Sequence, residues 1–487
     1  MSPTATWCYV VICLREPALS GQGERANRTV IDPQYQDLDS PYPSGWVFAG
    51  ALMAVVVMIG GLFTGSLLSY FDAVVIAMIG LFTVVAIARR MATAEDAEWL
   101  PGMIAAAYLA KIGFSTVRYL VLVEIYGGSG DAVGYHGSGV ELVEYWRSFQ
   151  FPPEMGDVGT KFTEGITGLI YVPYVPEMLG GFFLFSTLAF FGQMLMYAAF
   201  RKSVNPRRLK WYCYPLFFLP AVGYWPASLG KESLMFLGIG LAAFGSALFL
   251  KQGGIKALLI LAAGLGFAGA IRPHVSALIL GSLALTLVIA KSKSGLGLSP
   301  FMRWTAVLVV GAGSALLVSF AASNFNIDLT GDVGGSVDEF VSTVEGNTAK
   351  GGSEVEGGAV TGPQDIPGAA LRVLFRPLPY EAHNMQAMAS ALESSFLLLI
   401  VLWRFPKIIR NIPKSRRDPY ALMSLIMTFG FIIMFSPFLN LGLMARERSQ
   451  ILPFLAVVVI QLGWGSVKKE DGPAPGGNQQ AATALSV

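Results

Sequence analysis

The sequence predicts an all-α membrane protein: a polytopic bundle of about 12 transmembrane helices with two long loops on its outer face. Of the 487 residues, 54% are hydrophobic and only 14% are charged, whereas soluble globular proteins carry about 25% charged residues. The mean hydropathy is +0.56. Apolar runs of about 20 residues recur along the chain, and each is long enough to cross a bilayer as a helix.

The apolar runs predict the positions of the transmembrane spans, and the polar segments at both ends of the chain predict tails. The runs predict helices at about 46–64, 69–88, 99–125, 178–200, 212–228, 232–250, 255–271, 273–290, 302–322, 386–403, 419–439 and 450–466. These helices make up a transmembrane bundle at 46–466. The polar segments 1–45 and 467–487 predict disordered tails on either side of the bundle.

The distribution of Lys and Arg predicts the orientation. Most of the 34 basic residues fall in short segments on one face, as at Arg89 and Arg90 or Arg416 and Arg417. Positive charge is enriched in cytoplasmic loops, so this face and both termini are assigned to the cytoplasm. The opposite face then carries the two long loops, 126–177 and 323–385. The second loop is rich in Gly and acidic residues, with a short amphipathic helix predicted at Val337–Val344.

Basic residues on the outer face are the informative ones, because the same rule disfavours them. Arg372 and Arg376 are four residues apart, just before His383 and an apolar run. The planar guanidinium of arginine binds phosphate through two hydrogen bonds, and histidine can accept a proton from an attacking hydroxyl. These residues predict a site for an anionic, lipid-linked substrate. In the alternative interpretation, both arginines reach lipid headgroups and His383 caps the helix.

Five further residues on the predicted outer face are candidates for substrate binding. Arg272 and His274 flank a proline between two predicted helices, and Lys231 lies in a tight turn before another helix. Arg446 and Arg448 precede the last helix. For each of them, a structural turn, cap or headgroup contact is the alternative.

The sequence also contains an acidic candidate near the start of the first loop and charged residues inside predicted helices. Asp131 follows a Gly-rich turn and is a candidate general base, with an ordinary turn residue as the alternative. Lys111 and Arg118 lie inside the third predicted helix, where a charge needs a cavity or a partner. Asp72 is the predicted partner of Arg118. No metal site, cofactor motif or nucleic-acid signature is recognised, so we expect none of these ligands.

The segment Glu381–Glu393 (EAHNMQAMASALE) opens an apolar helix after a long outer loop. It resembles the His-Asn segment of the O-antigen polymerase and ligase family, the GT-C-like glycosyltransferases of bacterial polysaccharide assembly. The resemblance implies an undecaprenyl-diphosphate-linked sugar substrate, catalysis without metal and a location in the bacterial inner membrane. It also implies that Arg372, Arg376 and His383 carry the activity.

Three functional hypotheses follow. The first is a glycosyltransferase or polymerase that acts on polyprenyl-diphosphate-linked oligosaccharide, with membrane lipids and other polysaccharide-assembly proteins as partners. The second is a transferase that uses a polyprenyl-monophosphate sugar, with Asp131 as the base. The third is a flippase or transporter of lipid-linked sugars, although we find no internal repeat of the kind that many transporters carry.

Overall fold

The computed structural model describes residues 67–93, 96–152, 155, 157–203, 208–291, 299–324, 333–348 and 357–464. The two predicted tails and the first predicted span at 46–64 lie outside these residues. Within the described ranges, every regular element is helical. The prediction of an all-α protein is therefore confirmed for this part of the chain.

The helices are numbered in chain order. They are α1 Leu67–Met91, α2 Leu100–Leu120, α3 Asp131–Arg147, α4 Thr160–Ile170, α5 Met178–Ser203, α6 Leu209–Phe218, α7 Pro220–Tyr224, α8 Lys231–Gln252, α9 Ile255–Gly269, α10 Pro273–Ile289, α11 Pro300–Asn324, α12 Val333–Thr348, α13 Ile366–Phe375, α14 Met385–Ser415, α15 Pro419–Phe435, α16 Leu441–Arg448 and α17 Leu452–Gly463. A π-helical turn, Val121–Ile125, extends α2.

Six of the described helices are long and apolar enough to cross a membrane: α1, α2 with its π-helical turn, α5, α8, α11 and α14. Four more predicted spans are shorter apolar helices, α9, α10, α15 and α17. The chain is thus a helical membrane protein, and the part that the structure describes contains six candidate spans of full length. The predicted outer loops also contain helices, α3 and α4 in the first and α12 and α13 in the second.

Two predicted helices were wrong in their extent. The predicted span 212–228 is broken into α6 and α7 at Leu219, whose backbone is extended (φ −64°, ψ 125°). Pro220 causes the break, because proline disfavours a helical conformation in the residue before it and has no N–H to donate. The helix predicted at 386–403 instead continues to Ser415 despite Pro406 and Pro413.

Helix α8 lies at the centre of the bundle. In the most apolar 18-residue stretch of α8, 89% is buried inside the protein, whereas the corresponding share is 11% in α11 and 17% in α14. Glycines let its neighbours approach closely. A Cβ atom on Gly192 of α5 would lie 2.1 Å from the carbonyl oxygen of Phe236, and one on Gly264 of α9 would lie 2.3 Å from the nitrogen of Ala242. Small residues at helix contacts are typical of packing within membranes.

The short helix α7 is held at both ends by buried charged side chains from other helices. The carboxylate of Glu393, on α14, accepts hydrogen bonds from the N–H of Ala221 at 2.8 and 3.1 Å. The ammonium of Lys111, on α2, donates to the carbonyl oxygens of Gly223 at 3.0 Å and Val222 at 3.4 Å. A negative group at a helix N-terminus and a positive group at its C-terminus both match the helix dipole.

We expect Glu393→Ala to destabilise the protein, because the buried N–H of Ala221 loses its acceptor. The expected loss is about 1–3 kcal/mol in the free energy of unfolding, seen as a lower Tm of the purified protein in detergent. Glu393→Gln keeps an acceptor oxygen and is expected to lose less. The control is Glu141→Ala on the exposed face of α3. Equal Tm values for Glu393→Ala and Glu141→Ala would contradict this account of α7.

Candidate functional site

The turn between α13 and α14 carries the residues of the candidate site. Pro377 and Pro379 prevent α13 from continuing, and a short 3-10 helix, Pro379–Glu381, follows. The side chain of Asn384 then caps α14 by accepting a hydrogen bond from the N–H of Ala387 at 2.8 Å. Asparagine is among the preferred residues at this position. The sequence thus holds the segment 376–384 in a compact turn at the start of a candidate span.

Arg376 and Glu381 form an ion pair across this turn. The Nη2 of Arg376 donates to the carboxylate of Glu381, which also accepts from the N–H of Leu378 at 2.7 Å. Burial alone would raise the pKa of Glu381, but these hydrogen bonds and the charge of Arg376 lower it below its usual value. Glu381 is therefore a fixed carboxylate that orients the Arg376 side chain.

The turn borders a cavity of about 630 Å³. Its walls come from the turn itself, the first turns of α14, the start of α16, the end of α2 and the residue after α7. The lining residues are Tyr126, Trp225, Arg376, Pro377, Tyr380, Glu381, His383, Asn384, Gln386, Ala387, Ser390, Leu441, Gly442 and Ala445. Arg376 and His383, which the sequence placed in one site, therefore share this cavity. Its volume is in the range of small-molecule sites.

Arg448 supports the turn from behind. Its side chain is fully buried and donates to the carbonyl oxygens of Arg376 at 2.7 Å and Leu374 at 3.1 Å. Its Nη2 also lies 3.5 Å from the hydroxyl of Ser390, which lines the cavity. Burial lowers the pKa of Arg448 to about 10. Arg448 does not line the cavity, so its contacts suit a positioning residue for Arg376.

Arg372, on α13, also donates to backbone carbonyl oxygens, as Arg448 does. Its Nη2 donates to the carbonyl oxygens of Gly358 at 2.6 Å and Ser436 at 2.9 Å. Burial lowers the pKa of its guanidinium. The residue ties the segment before α13 to the end of α15. The sequence had placed Arg372 and Arg376 in one site, but the structure gives their side chains different contacts, because α13 ends at Phe375 between them.

Arg272 and Arg446 belong to a separate, buried ion network. The carboxylate of Glu232 accepts from Arg272 at 2.8 Å and from Arg446 at 2.5 Å. Glu447 lies 2.7 Å from Arg272, and Asp131 lies 3.8 Å from Arg446. The carboxylate of Glu232 raises the pKa of Arg446, and burial raises the pKa of Glu447. The network joins the N-termini of α8 and α10 to α16.

The remaining candidates lie near this network and outside the cavity lining. Lys231 donates to the hydroxyl of Thr160 at 2.8 Å. His274 packs its ring edge-on against Phe435, with ring centroids 6.0 Å apart. The side chain of Asp131 is 69% exposed at the start of α3. The structure therefore gathers all nine candidates at one end of the bundle but places only Arg376 and His383 in the cavity.

The predicted pairing of Asp72 with Arg118 was wrong. Asp72 accepts a hydrogen bond from the N–H of Glu177 at 2.8 Å. The guanidinium of Arg118 instead lies 4.9 Å from the ring of Tyr224 and 4.7 Å from that of Trp225. Residues at similar depths on adjacent helices need not face each other, and an arginine in an apolar setting can stack on aromatic rings.

The sequence interpretation missed the aromatic wall of the cavity. Trp225 follows the break in the predicted span, Tyr126 follows the π-helical turn, and Tyr380 lies between the two prolines and His383. It also missed the function of Glu393, although an acidic residue within an apolar helix was a signal.

Within the described residues, no group of three or more His, Cys, Asp or Glu side chains is placed to hold a metal ion. Comparison of the chain with protein-family models, curated proteins and solved structures finds no match. The candidate site is therefore inferred from the positions and contacts of its residues.

We expect Arg272→Met to destabilise the protein strongly, because Glu232 and Glu447 would keep buried charges without this partner. The expected loss is about 3–5 kcal/mol, measured as a fall in Tm in detergent. The matched control is Arg147→Met, which breaks an exposed pair with Glu144 and should cost about 0–1 kcal/mol. Adding Glu447→Gln to Arg272→Met should recover part of the loss. Equal effects of the two single substitutions would show that the network is not stabilising.

Proposed function

We propose that this protein is a membrane glycosyltransferase or polymerase that acts on a polyprenyl-diphosphate-linked oligosaccharide in cell-surface polysaccharide assembly. The observation that carries the proposal is the shared cavity of Arg376, Glu381 and His383 at the start of the candidate span α14. In this proposal the protein lies in the bacterial inner membrane with both termini in the cytoplasm. The cavity then opens at the outer face, where lipid-linked oligosaccharides are joined.

The proposed reaction transfers a glycosyl group to an acceptor hydroxyl. The hydroxyl oxygen bonds to the anomeric carbon, while the bond from that carbon to the diphosphate oxygen breaks. His383 accepts the proton of the hydroxyl, and the lipid diphosphate leaves with the electron pair. Arg376 neutralises the charge that develops on the diphosphate. Its Nη2 is engaged by Glu381, and its Nη1 has no partner among the described residues, so this nitrogen is available to the substrate.

The alternative with Asp131 as base has less support. The carboxylate of Asp131 is exposed and lies near Arg446 in the neighbouring network, outside the cavity lining. His383 lines the same cavity as Arg376, as a general base for a diphosphate substrate requires, because base and substrate must be in hydrogen-bond reach. The geometry therefore favours His383 over Asp131 as the general base.

Arg376→Ala should lower kcat by about 10²–10³-fold, because the transition state loses a charged hydrogen-bond donor. The assay uses purified full-length protein with a polyprenyl-diphosphate-linked oligosaccharide and measures chain extension. Arg376→Lys keeps the charge but not the planar geometry and should be intermediate. Arg147→Ala, an exposed arginine of α3, is the control. A wild-type protein that binds the substrate without extending it would favour a transporter and contradict the proposal.

The two candidate bases can be separated by a second pair of variants. His383→Ala should lower kcat by about 10²-fold or more, because the acceptor loses its base. Asp131→Asn, which keeps the size of the side chain, should leave kcat within about threefold of the wild type. The opposite ranking of the two variants would favour the monophosphate-dependent transferase.

A further inference from the structure

Most of the cavity lining is uncharged. Arg376 and Glu381 neutralise each other, and His383 is the third lining residue that can carry charge. The other cations at this end of the bundle are held elsewhere. Arg272 and Arg446 contact carboxylates, and Arg448 contacts carbonyl oxygens. A cavity built for a diphosphate alone would need more free positive charge, since a diphosphate carries several negative charges.

The neutral polar residues offer hydrogen-bond donors to the cavity. The side-chain oxygen of Asn384 is used by the N–H of Ala387. The side-chain oxygen of Gln386 lies 3.5 Å from the hydroxyl of Tyr126. The amide NH₂ groups of both residues have no partner among the described residues. Ser390 adds a hydroxyl one turn further along α14. This set of neutral donors and acceptors is suited to hydroxyl groups.

Two aromatic residues, Trp225 and Tyr380, line the cavity beside these donors. Trp225 is only 8% exposed, and it is held by Arg118 at 4.7 Å and by the ring of Tyr224 at 5.4 Å. Tyr380 is 80% exposed at the cavity edge. Gly442 and Ala445 are small and leave space within the cavity. A pyranose has one apolar C–H face and a rim of hydroxyls, so it matches an aromatic ring flanked by amide and hydroxyl groups.

We propose that this cavity contains a carbohydrate subsite, in which a neutral pyranose of the oligosaccharide stacks on Tyr380, contacts Trp225 and hydrogen-bonds to Asn384, Gln386 and Ser390. The subsite rests on the proposed function and deepens it. It assigns the sugar to the aromatic side of the cavity and the diphosphate to the side of Arg376 and His383. Recognition by this subsite then depends on the sugar, independently of the lipid and of the phosphates.

The test measures binding of a sugar that has neither lipid nor phosphate. The probe is the neutral oligosaccharide released by mild acid from the lipid-linked intermediates of the cell that makes the protein, labelled at its reducing end. Binding to full-length protein in nanodiscs is measured with probe at concentrations up to the millimolar range. We expect saturable binding to the wild type. Trp225→Leu and Tyr380→Leu should each weaken it about tenfold, and Trp225→Phe and Tyr380→Phe should retain most of it.

The control variants separate the subsite from the rest of the protein. Trp211→Leu removes an exposed tryptophan of α6 (66% exposed), and it should bind the probe as the wild type does. Tyr380→Leu changes an exposed side chain, so it tests the subsite even if Trp225→Leu fails to fold. Arg376→Ala should bind the neutral probe within about twofold of the wild type while losing chain extension.

The outcomes distinguish this inference from the proposed function. No saturable binding of the neutral probe to the wild type would overturn the subsite. So would unchanged binding in Trp225→Leu and Tyr380→Leu. If chain extension is then still observed, the proposed function stands without the subsite. If the probe binds as expected but no extension occurs, the subsite stands and the cavity belongs to a sugar-binding or sugar-transporting protein.

Discussion

The hydrogen bonds between Glu393 and the N–H of Ala221 join the two walls of the candidate site. Glu393 lies on α14, three residues beyond Ser390, which lines the cavity. Ala221 is the second residue of α7, whose last residue is followed by Trp225 on the opposite wall. The buried carboxylate therefore fixes the position of α7 relative to α14, and with it the width of the cavity. Lys111 fixes the other end of α7 through the carbonyl oxygens of Val222 and Gly223.

Breaking a helix within an apolar bundle exposes backbone groups that have no water to bind. Here the break at Leu219 and Pro220 is tolerated because charged side chains from α2 and α14 satisfy both ends of α7. The same break turns the chain so that Tyr224 and Trp225 face Arg118, which stacks on both rings. Two unusual features, an interrupted span and charges inside apolar helices, thus explain each other, and together they place an aromatic ring at the cavity.

Hydropathy predicted the class of fold and the positions of several helices, and the charge pattern pointed to cations that lie at one end of the bundle. Apolar runs gave the positions of α1, α2, α5 and α8 to within a few residues. Arg272 and Arg446, two of the cations that were predicted for the outer face, do come together at Glu232. Arg376 and His383 could be predicted as neighbours because a proline turn and an Asn cap lie between and beside them. The end of α14 was not predictable by the same means. Its later turns are held by α17, where Asn411 donates to Leu462 at 2.8 Å and Arg404 lies between Trp403 and Trp464.

The partners of the buried charges could not be predicted, because they depend on which helix faces which. Arg372, Arg376 and Arg448 have the same chemistry and lie in the same predicted outer region. The structure gives them different environments, since two contact carbonyl oxygens and one contacts a carboxylate at the cavity. An arginine whose donors are used by backbone carbonyls stabilises the fold around it and has less to offer a ligand. Arg376 differs because Glu381 engages its Nη2, while its Nη1 has no partner among the described residues and is therefore both oriented and available. This difference in contacts is the reason why the proposed function gives the diphosphate to Arg376 and not to Arg372 or Arg448.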